Sequence, residues 1–548
     1  MHNKAGCSNR FYLSFAICSE DWNLKMFVDK SFFCFSRSGN LDGIFDYPGI
    51  IDTTDKSLFK SNADSNFIFG KEFKKYSKQS YLEPGSADIV ELDDILVVRN
   101  APYLLQHSSS LVDEIMKIHS RYGYAKLIYG PGLSDPYLIP ALVYLGFSIF
   151  DDILLRKLSA DHFKITPFGY AKAEGDPFEA NLSYINEEMR TIRRAIENRT
   201  LRELVEKYII SGKVIEIIRN LDNKYADQQI SVFPRVTPFI RANEIFSIYR
   251  PDLLQYRKKI ANNYVKPEGR DILLLLPCSA RKPYSSSRSH QRIIETLSGL
   301  REGLHEMIVT SPMGLVPREL ESIYPAAFYD IPVIGQWFED EKKMISTMLK
   351  SYLKRNKYER IIAFLPEDLI FVKEVLPEGS IFIEGRSGRQ SDLSNLREVV
   401  FNVTENISRR SHINERYEEL LSVAMFQFGN WIEPYLEGTK AIRSYNQDML
   451  TKAGKVCIVF NRSQGKETIT REIAPAFLEN RKFLVEIDDF KPTANIYPVG
   501  ILSSTDDIGV EDEVVVVHSG EIRGVGVSKM PSIAIRDLKK GVAVKMRN

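Results

Sequence analysis

No two cysteines of the chain lie close enough to share a zinc ion or to form a redox pair: Cys7, Cys18, Cys34, Cys278 and Cys457 are odd in number and scattered over 548 residues. This excludes a zinc finger and a disulfide scaffold and fits a reducing compartment. Long hydrophobic runs are missing as well. The apolar piece 11–18 is interrupted by Ser14, lacks a basic start and is followed by Glu20 and Asp21, so it reads neither as a signal peptide nor as a membrane span. A cytoplasmic protein with no membrane contact is the expectation. Charge of one sign is missing too: a net charge of +1 gives no global pull towards nucleic acid, so any RNA contact has to come from local clusters. A Gly-rich phosphate loop ending in Gly-Lys-Ser/Thr is absent, as is the C-x-x-x-C-x-x-C run of radical iron–sulfur enzymes. Neither a cofactor nor a metal is expected, and nothing points to ATP.

What is present suffices for several cores. Hydrophobic residues make up 44% and charged residues 26%, and a chain of this length allows roughly three to five domains. In 1–240 the pattern alternates: a strand over 91–99, a helix over 110–119, a strand over 125–129 ending at Gly130 and Gly132, a helix over 140–146 and a strand over 147–152. Strand, helix, strand implies a parallel sheet. Amphipathic helices fill 180–225, and a charged linker around Lys266 and Arg270 follows. Over 268–402, apolar strands at 272–276, 307–310, 361–365 and 381–384 alternate with helical segments, which reads as a small doubly wound α/β core. Residues 403–478 read as an α+β spacer with Cys457 inert in an apolar strand. Residues 479–548 are short, evenly spaced β segments of a compact barrel, with a hairpin turn at Ser519 and Gly520. The fold class is therefore α/β multidomain.

One stretch carries chemistry. The five apolar residues 272–276, closed by Pro277, form a buried parallel strand whose carboxyl end delivers Cys278 into a loop, the place where open α/β sheets bind ligands. Arg281, Lys282, Tyr284, Ser287, Arg288 and His290 follow within thirteen residues of Cys278. Such a set suits nucleophilic attack and anionic ligands. On the residues alone a second reading stands beside it, since most free cysteines are small buried hydrophobes and most Lys/Arg/Ser-rich loops are only solvated. Asp151 and Asp152 read as a structural strand-end pair, and His107, His119 and His162, with no cysteines at ligand spacing, as ordinary histidines.

The spacing of Pro277, Cys278, Lys282, Pro283, Tyr284, Ser287 and His290 resembles the signature of the archaeosine synthase family, relatives of the archaeal tRNA-guanine transglycosylases. A second block is closely similar to that family. It runs from Thr310 and Ser311 through Arg318 to Tyr324, Pro325, Tyr329, Asp330, Pro332 and Trp337. Residues 129–152 resemble late strands of the transglycosylase barrel, and 241–252 the segment that closes it. The ending from Gly541 to Arg547, with Gly524 and Gly526 before it, resembles a PUA domain, a module that grips RNA stems. The resemblance thus implies a shortened transglycosylase-like (β/α) barrel over 1–240, then the α/β core, the spacer and a C-terminal PUA β-barrel. The zinc-binding C-x-C-x-x-C run of transglycosylases is missing, so the first unit is expected to have lost base exchange and kept a docking role.

From the same resemblance comes a substrate, tRNA bearing 7-cyano-7-deazaguanine at position 15 of the D arm. It also implies a reaction, addition of an amine to the nitrile to give an amidine, with free lysine as donor and a separate radical-SAM partner acting afterwards. A thiolate suits attack on a nitrile carbon. Cys278 is then expected to form a thioimide, Arg281 and Lys282 to lower its pKa, and His290 to shuttle a proton to the nitrile nitrogen. Arg281, Tyr284, Ser287, Arg318 and Asp330 are the expected substrate-binding set, and Lys539, Lys540, Lys545 and Arg547 the RNA contacts. Two alternatives stay open: a non-catalytic tRNA-docking subunit, and a base-exchange tRNA-guanine transglycosylase. A homodimer is compatible with the sequence.

Overall fold

The computed structural model describes residues 27–75, 85–331, 335–405, 414–444 and 447–547. Cys7, Cys18, the 11–18 piece and Pro332 lie outside the described residues.

The first unit is built on a five-stranded sheet in the order Gly49–Ile51, Phe147–Asp151, Leu127–Tyr129, Ile95–Val98, Ile89–Glu91. Its first four strands are parallel and the last is antiparallel. The strand expected over 91–99 is in fact a hairpin, Ile89–Glu91 paired with Ile95–Val98, because Asp93 and Asp94 sit in its turn. Helices Ser108–Tyr122, which buries one face, and Ile139–Leu145, which is buried all round, connect the parallel strands and share a core with Phe178–Glu197. The shortened barrel is a point of correction. Among the described residues this sheet stays open, ending in an antiparallel edge strand. Four parallel strands are about half of what a closed (β/α) barrel uses, and an antiparallel edge cannot continue the winding.

The α/β core has the four strands the sequence implies and a fifth, Gly314–Pro317, in what the sequence reads as a loop. Its sheet runs Gly314–Pro317, Leu304–Thr310, Ile272–Pro277, Arg360–Leu365, Ile381–Glu384, all parallel except the first. Both faces are covered, which is why the central strand is apolar throughout. Leu273 and Leu275 pack with Ile345 and Leu349 of helix Glu339–Arg355, whereas Ile272, Leu274 and Leu276 pack with Ile293, Leu393 and Leu396. From the Ile272–Pro277 strand the chain first builds outward to one side and then returns to build the other. The order therefore reverses between Ile272–Pro277 and Arg360–Leu365, and a crevice opens at their carboxyl ends.

Helix Glu415–Phe428 over a four-stranded antiparallel sheet forms the spacer, with Cys457 only 3% exposed. The C-terminal region is a six-stranded sheet. Its strand Glu513–His518 is buried on both sides because Val514 and Val516 join the core of the first unit while Val515 and Val517 join that of the α/β core. The turn after it has Ser519 at φ 50 and Gly520 at φ 82, the left-handed pair that a two-residue hairpin needs. Gly541, at φ 97, approaches the first unit so closely that a Cβ would lie 2.8 Å from the Asp29 carbonyl oxygen. Among the described residues no helix is long and apolar enough to cross a membrane.

Candidate functional site

Cys278 follows the last residue of the Ile272–Pro277 strand, half-buried, at the rim of that crevice. Beside it lies a cavity of about 210 Å³ whose lining includes Pro277, Cys278, Ser311, Trp337, Glu341 and Asp368. These come from the carboxyl ends of three neighbouring strands and from the start of helix Glu339–Arg355. Thr310 ends the Leu304–Thr310 strand and hydrogen-bonds the thiol. Its hydroxyl also shares a hydrogen bond with Tyr329 at 2.8 Å, and Tyr329 shares another with Tyr284 at 2.6 Å. The Lys282 ammonium stands 3.9 Å above the Tyr329 ring. Cys278, Lys282, Tyr284, Thr310 and Tyr329 thus form one cluster. The 277–290 motif supplies three of these; Thr310 and Tyr329 are legible in the sequence only as members of the second similar block.

The electrostatics differ from the sequence expectation. Burial pushes the Cys278 thiol up, and the hydrogen bond from Thr310 and the positive charge of Lys282 pull it down without offsetting that, while Asp368 pushes it further up. The resting group is a thiol. Arg281 plays no part in this: its side chain is exposed and its carbonyl accepts a hydrogen bond from Ser279 Oγ at 3.0 Å. Lys282 is itself held below the ordinary lysine value by burial, against the attraction of Cys278 and Asp330. Replacing Lys282 by Met is expected to slow alkylation of Cys278 by iodoacetamide several-fold at pH 8, since it removes the cation that favours the thiolate. An unchanged labelling rate would show that Lys282 does not act on the sulfur.

His290 is not placed as a proton shuttle. Burial, then the Arg318 cation, hold it down at about 4. Arg318 Nη2 donates to Nδ1 at 2.9 Å, which leaves the proton on Nε2 to donate to the Pro277 carbonyl at 3.0 Å. The ring therefore fixes the residue just before the nucleophile. Arg318, in turn, is not at the cavity but in a buried network, donating from Nε to Glu306 at 2.8 Å and from Nη1 to Glu321 at 2.9 Å. Glu321 also accepts from the Ser285 backbone N–H at 2.9 Å, so one carboxylate holds both arms of the 277–290 loop. Ser287 caps helix Arg288–Thr296, accepting from the His290 N–H at 3.3 Å. Asp330 is exposed, in a short strand beside Arg241. Of the expected substrate-binding set, then, Tyr284 joins the cluster at the thiol, Arg318 and Ser287 support the loop, and Arg281 and Asp330 face solvent.

Two histidines, His290 buried and His119 partly buried, make acid stability measurable. His290 and His119 both stay neutral to about pH 4 because burial disfavours their charged forms. An unfolded chain takes up those protons near 6.5, so stability falls as pH drops from about 6.5 towards 4, by up to about 3 kcal/mol for each ring. Thermal unfolding followed between pH 7 and pH 4 should show this decline, and a flat profile over that window would contradict the burial of the two rings.

At the far end of the chain, Lys539 and Lys545 are exposed and Lys540 is partly so. Lys545 lines a cleft of about 790 Å³ together with Arg199 and Lys466. Arg547 lines the same cleft, with its guanidinium paired to both oxygens of the buried Glu513 at 2.5 and 2.7 Å. Asp151 and Asp152 are fully engaged as well. Asp151 accepts from the Tyr129 hydroxyl and the Gly132 and Ile153 N–H groups, and Asp152 from Thr53 and Arg156.

The thiol thus stands at the switch point of a doubly wound domain that is followed by a C-terminal β module. The description "Domain of unknown function (DUF5591)" matches residues 253–399, and that of a PUA domain matches 489–548. The archaeosine synthase subunit alpha of Thermoplasma acidophilum is 47% identical over 522 residues, covering 95% of this chain and 100% of that one. The chain belongs to the archaeosine synthase alpha-subunit family. The protein of that name from Methanosarcina acetivorans is 27% identical over 84% of this chain and 80% of its own. A tRNA-guanine(15) transglycosylase of Methanobrevibacter smithii is 21% identical over 80% of this chain and 69% of its own.

Proposed function

We propose that this protein forms the amidine of archaeosine by adding an amine, free lysine, to the nitrile of 7-cyano-7-deazaguanine at position 15 of tRNA. The observation that carries this reading is the half-buried Cys278 thiol at a strand end, opening onto a cavity rather than walled in by aliphatic side chains. In the proposed course the thiol adds across the nitrile. Sulfur bonds to carbon and the thiol proton passes to nitrogen, giving a thioimide. Lys282, whose charge acts on the sulfur and which burial holds below its ordinary pKa, relays that proton in this course, since both ring nitrogens of His290 are engaged. The amine then bonds to the carbon and the sulfur leaves. No step needs ATP.

His290 and Arg318 act in this scheme as positioning residues for Cys278, and Thr310, hydrogen-bonded through Tyr329 to Tyr284, as the buried support of its thiol. The PUA region and the Lys545 cleft hold the tRNA, with Lys539 and Lys540 near the same end. That the relatives are named a subunit alpha supports a partner protein, which we place downstream as the radical-SAM enzyme that cleaves the lysine-substituted base. The test is mass spectrometry of nitrile-bearing tRNA incubated with the protein and isotopically labelled lysine. The modified nucleoside should gain the mass of one lysine. Absence of any adduct would overturn the proposal, and exchange of labelled guanine into the tRNA would replace it with base exchange.

A further inference from the structure

We infer that Asp368 is the base that takes the proton from the incoming amine, and that the cavity beside Cys278 seats that amine as an ammonium ion. This rests on the amidine-forming reading and adds to it a residue and a charge state. An alkyl amine is protonated at neutral pH and has no lone pair with which to attack, so a site that uses one needs a base within reach of the acceptor carbon.

The structure divides the site by charge. The cation Lys282 lies over the Tyr329 ring, outside the cavity lining, while the carboxylates Asp368 and Glu341 line the cavity. Glu341 accepts through Oε2 from the Phe338 N–H at 2.8 Å to close the first turn of its helix. Asp368 is the carboxylate whose charge acts on the Cys278 thiol. The Trp337 indole donates to Oδ2 at 2.9 Å, which leaves Oδ1 with no hydrogen bond among the described residues. It stands just after the Arg360–Leu365 strand, across the switch crevice from Cys278.

A second observation points to a ligand in the same place. Ser311 is 6% exposed, lines the cavity, and its Oγ has no hydrogen-bond partner among the described residues. A buried hydroxyl left unpaired loses free energy unless something meets it. An ammonium in the cavity supplies what both groups lack, N–H donors for Ser311 Oγ and for Asp368 Oδ1. It also removes a disadvantage, since the Asp368 charge opposes ionisation of Cys278 only while no cation lies between them.

The step balances. Asp368 removes one proton from the ammonium, and the freed lone pair bonds to the thioimide carbon. The imine nitrogen takes up a proton from the attacking nitrogen, the carbon–sulfur bond breaks with its electron pair going to sulfur, and the sulfur recovers its proton from the same nitrogen. Asp368 then passes its proton to the amidine, which is the stronger base.

The experiment uses the full chain and nitrile-bearing tRNA with two nucleophiles: lysine, which arrives protonated, and hydroxylamine, which is largely neutral at pH 7. Asp368→Asn keeps an acceptor for Trp337 and is expected to lower the rate with lysine by about 10²–10⁴-fold, while the enzyme-dependent rate with hydroxylamine is at or above the wild-type level, since loss of the carboxylate eases ionisation of Cys278. That retained rate shows that the variant is folded. Equal losses with both nucleophiles, or no loss with lysine, would overturn the role of Asp368 and leave amidine formation standing. A wild-type protein that yields no adduct with either nucleophile would overturn both.

Discussion

Cys278→Ala is expected to leave tRNA binding intact and to lower lysine addition by at least about 10³-fold, since the scheme has no second route to a covalent intermediate. Other described cysteines cannot substitute. Cys34 is buried in the first unit with its thiol pushed up to about 12, and Cys457 is buried in the spacer. A serine at 278 should be as inactive as alanine, because a hydroxyl in that half-buried position, next to Asp368, ionises far less than a thiol. The side chain lost is small and half-buried, so the fold should survive and thermal unfolding should change little. Mass spectrometry of the tRNA nucleosides, wild type against both variants, measures the effect. Full product from Cys278→Ala would place the chemistry in another subunit and make this chain the docking component.

The α/β core is legible in the sequence because its central strand is apolar at every position. Only a strand covered on both faces requires that, and Ile272 to Leu276 indeed alternate between two cores. The carboxyl end of such a strand is a ligand position by topology, so the sequence alone places Cys278 at a site. Roles within the loop are not legible in the same way. Arg318, Ser287 and His290 are chemically fit for catalysis, but whether such a side chain faces substrate or a buried partner depends on long-range neighbours such as Glu306 and Pro277. The barrel fails for a related reason: alternation of strand and helix specifies a parallel sheet but not whether its two edges meet. Arg547 shows the same limit, since a basic residue near a chain end carries no sign in the sequence of the buried Glu513 that its guanidinium pairs with at the cleft. The sign of the Cys278 shift is out of reach as well. Nearby cations can be counted in a sequence, but the desolvation that outweighs them cannot.

Arg318→Met is expected to be the most destabilising single substitution near the site. Methionine fills similar length without a donor, so Glu306 and Glu321 each lose a buried ionic partner and His290 loses the group that fixes its tautomer. Removing one member of a buried ionic network costs about 3–5 kcal/mol, because the remaining charges stay desolvated. Glu306 keeps Arg301 and Glu321 keeps the Ser285 N–H, which places the expected loss at the lower end of that range. The chain has several domains, so the effect should be read on the transition of the α/β core, lowered by about 6–12 °C. Its pH dependence has a definite sign. In the wild type the Arg318 and Arg301 cations hold Glu306 down at about 2, so its contribution is present above the ordinary carboxylate range and is lost only as pH falls through about 2. In the variant Glu306 protonates earlier and the unpaired charge disappears with it. The gap between variant and wild type should therefore be widest at pH 7 and shrink in acid below about pH 5. A gap independent of pH would mean that the loss comes from packing and not from the buried charges. Because Glu321 and His290 between them hold Ser285 and Pro277, the variant should also lose activity at temperatures where the core is still folded, through a mobile Cys278.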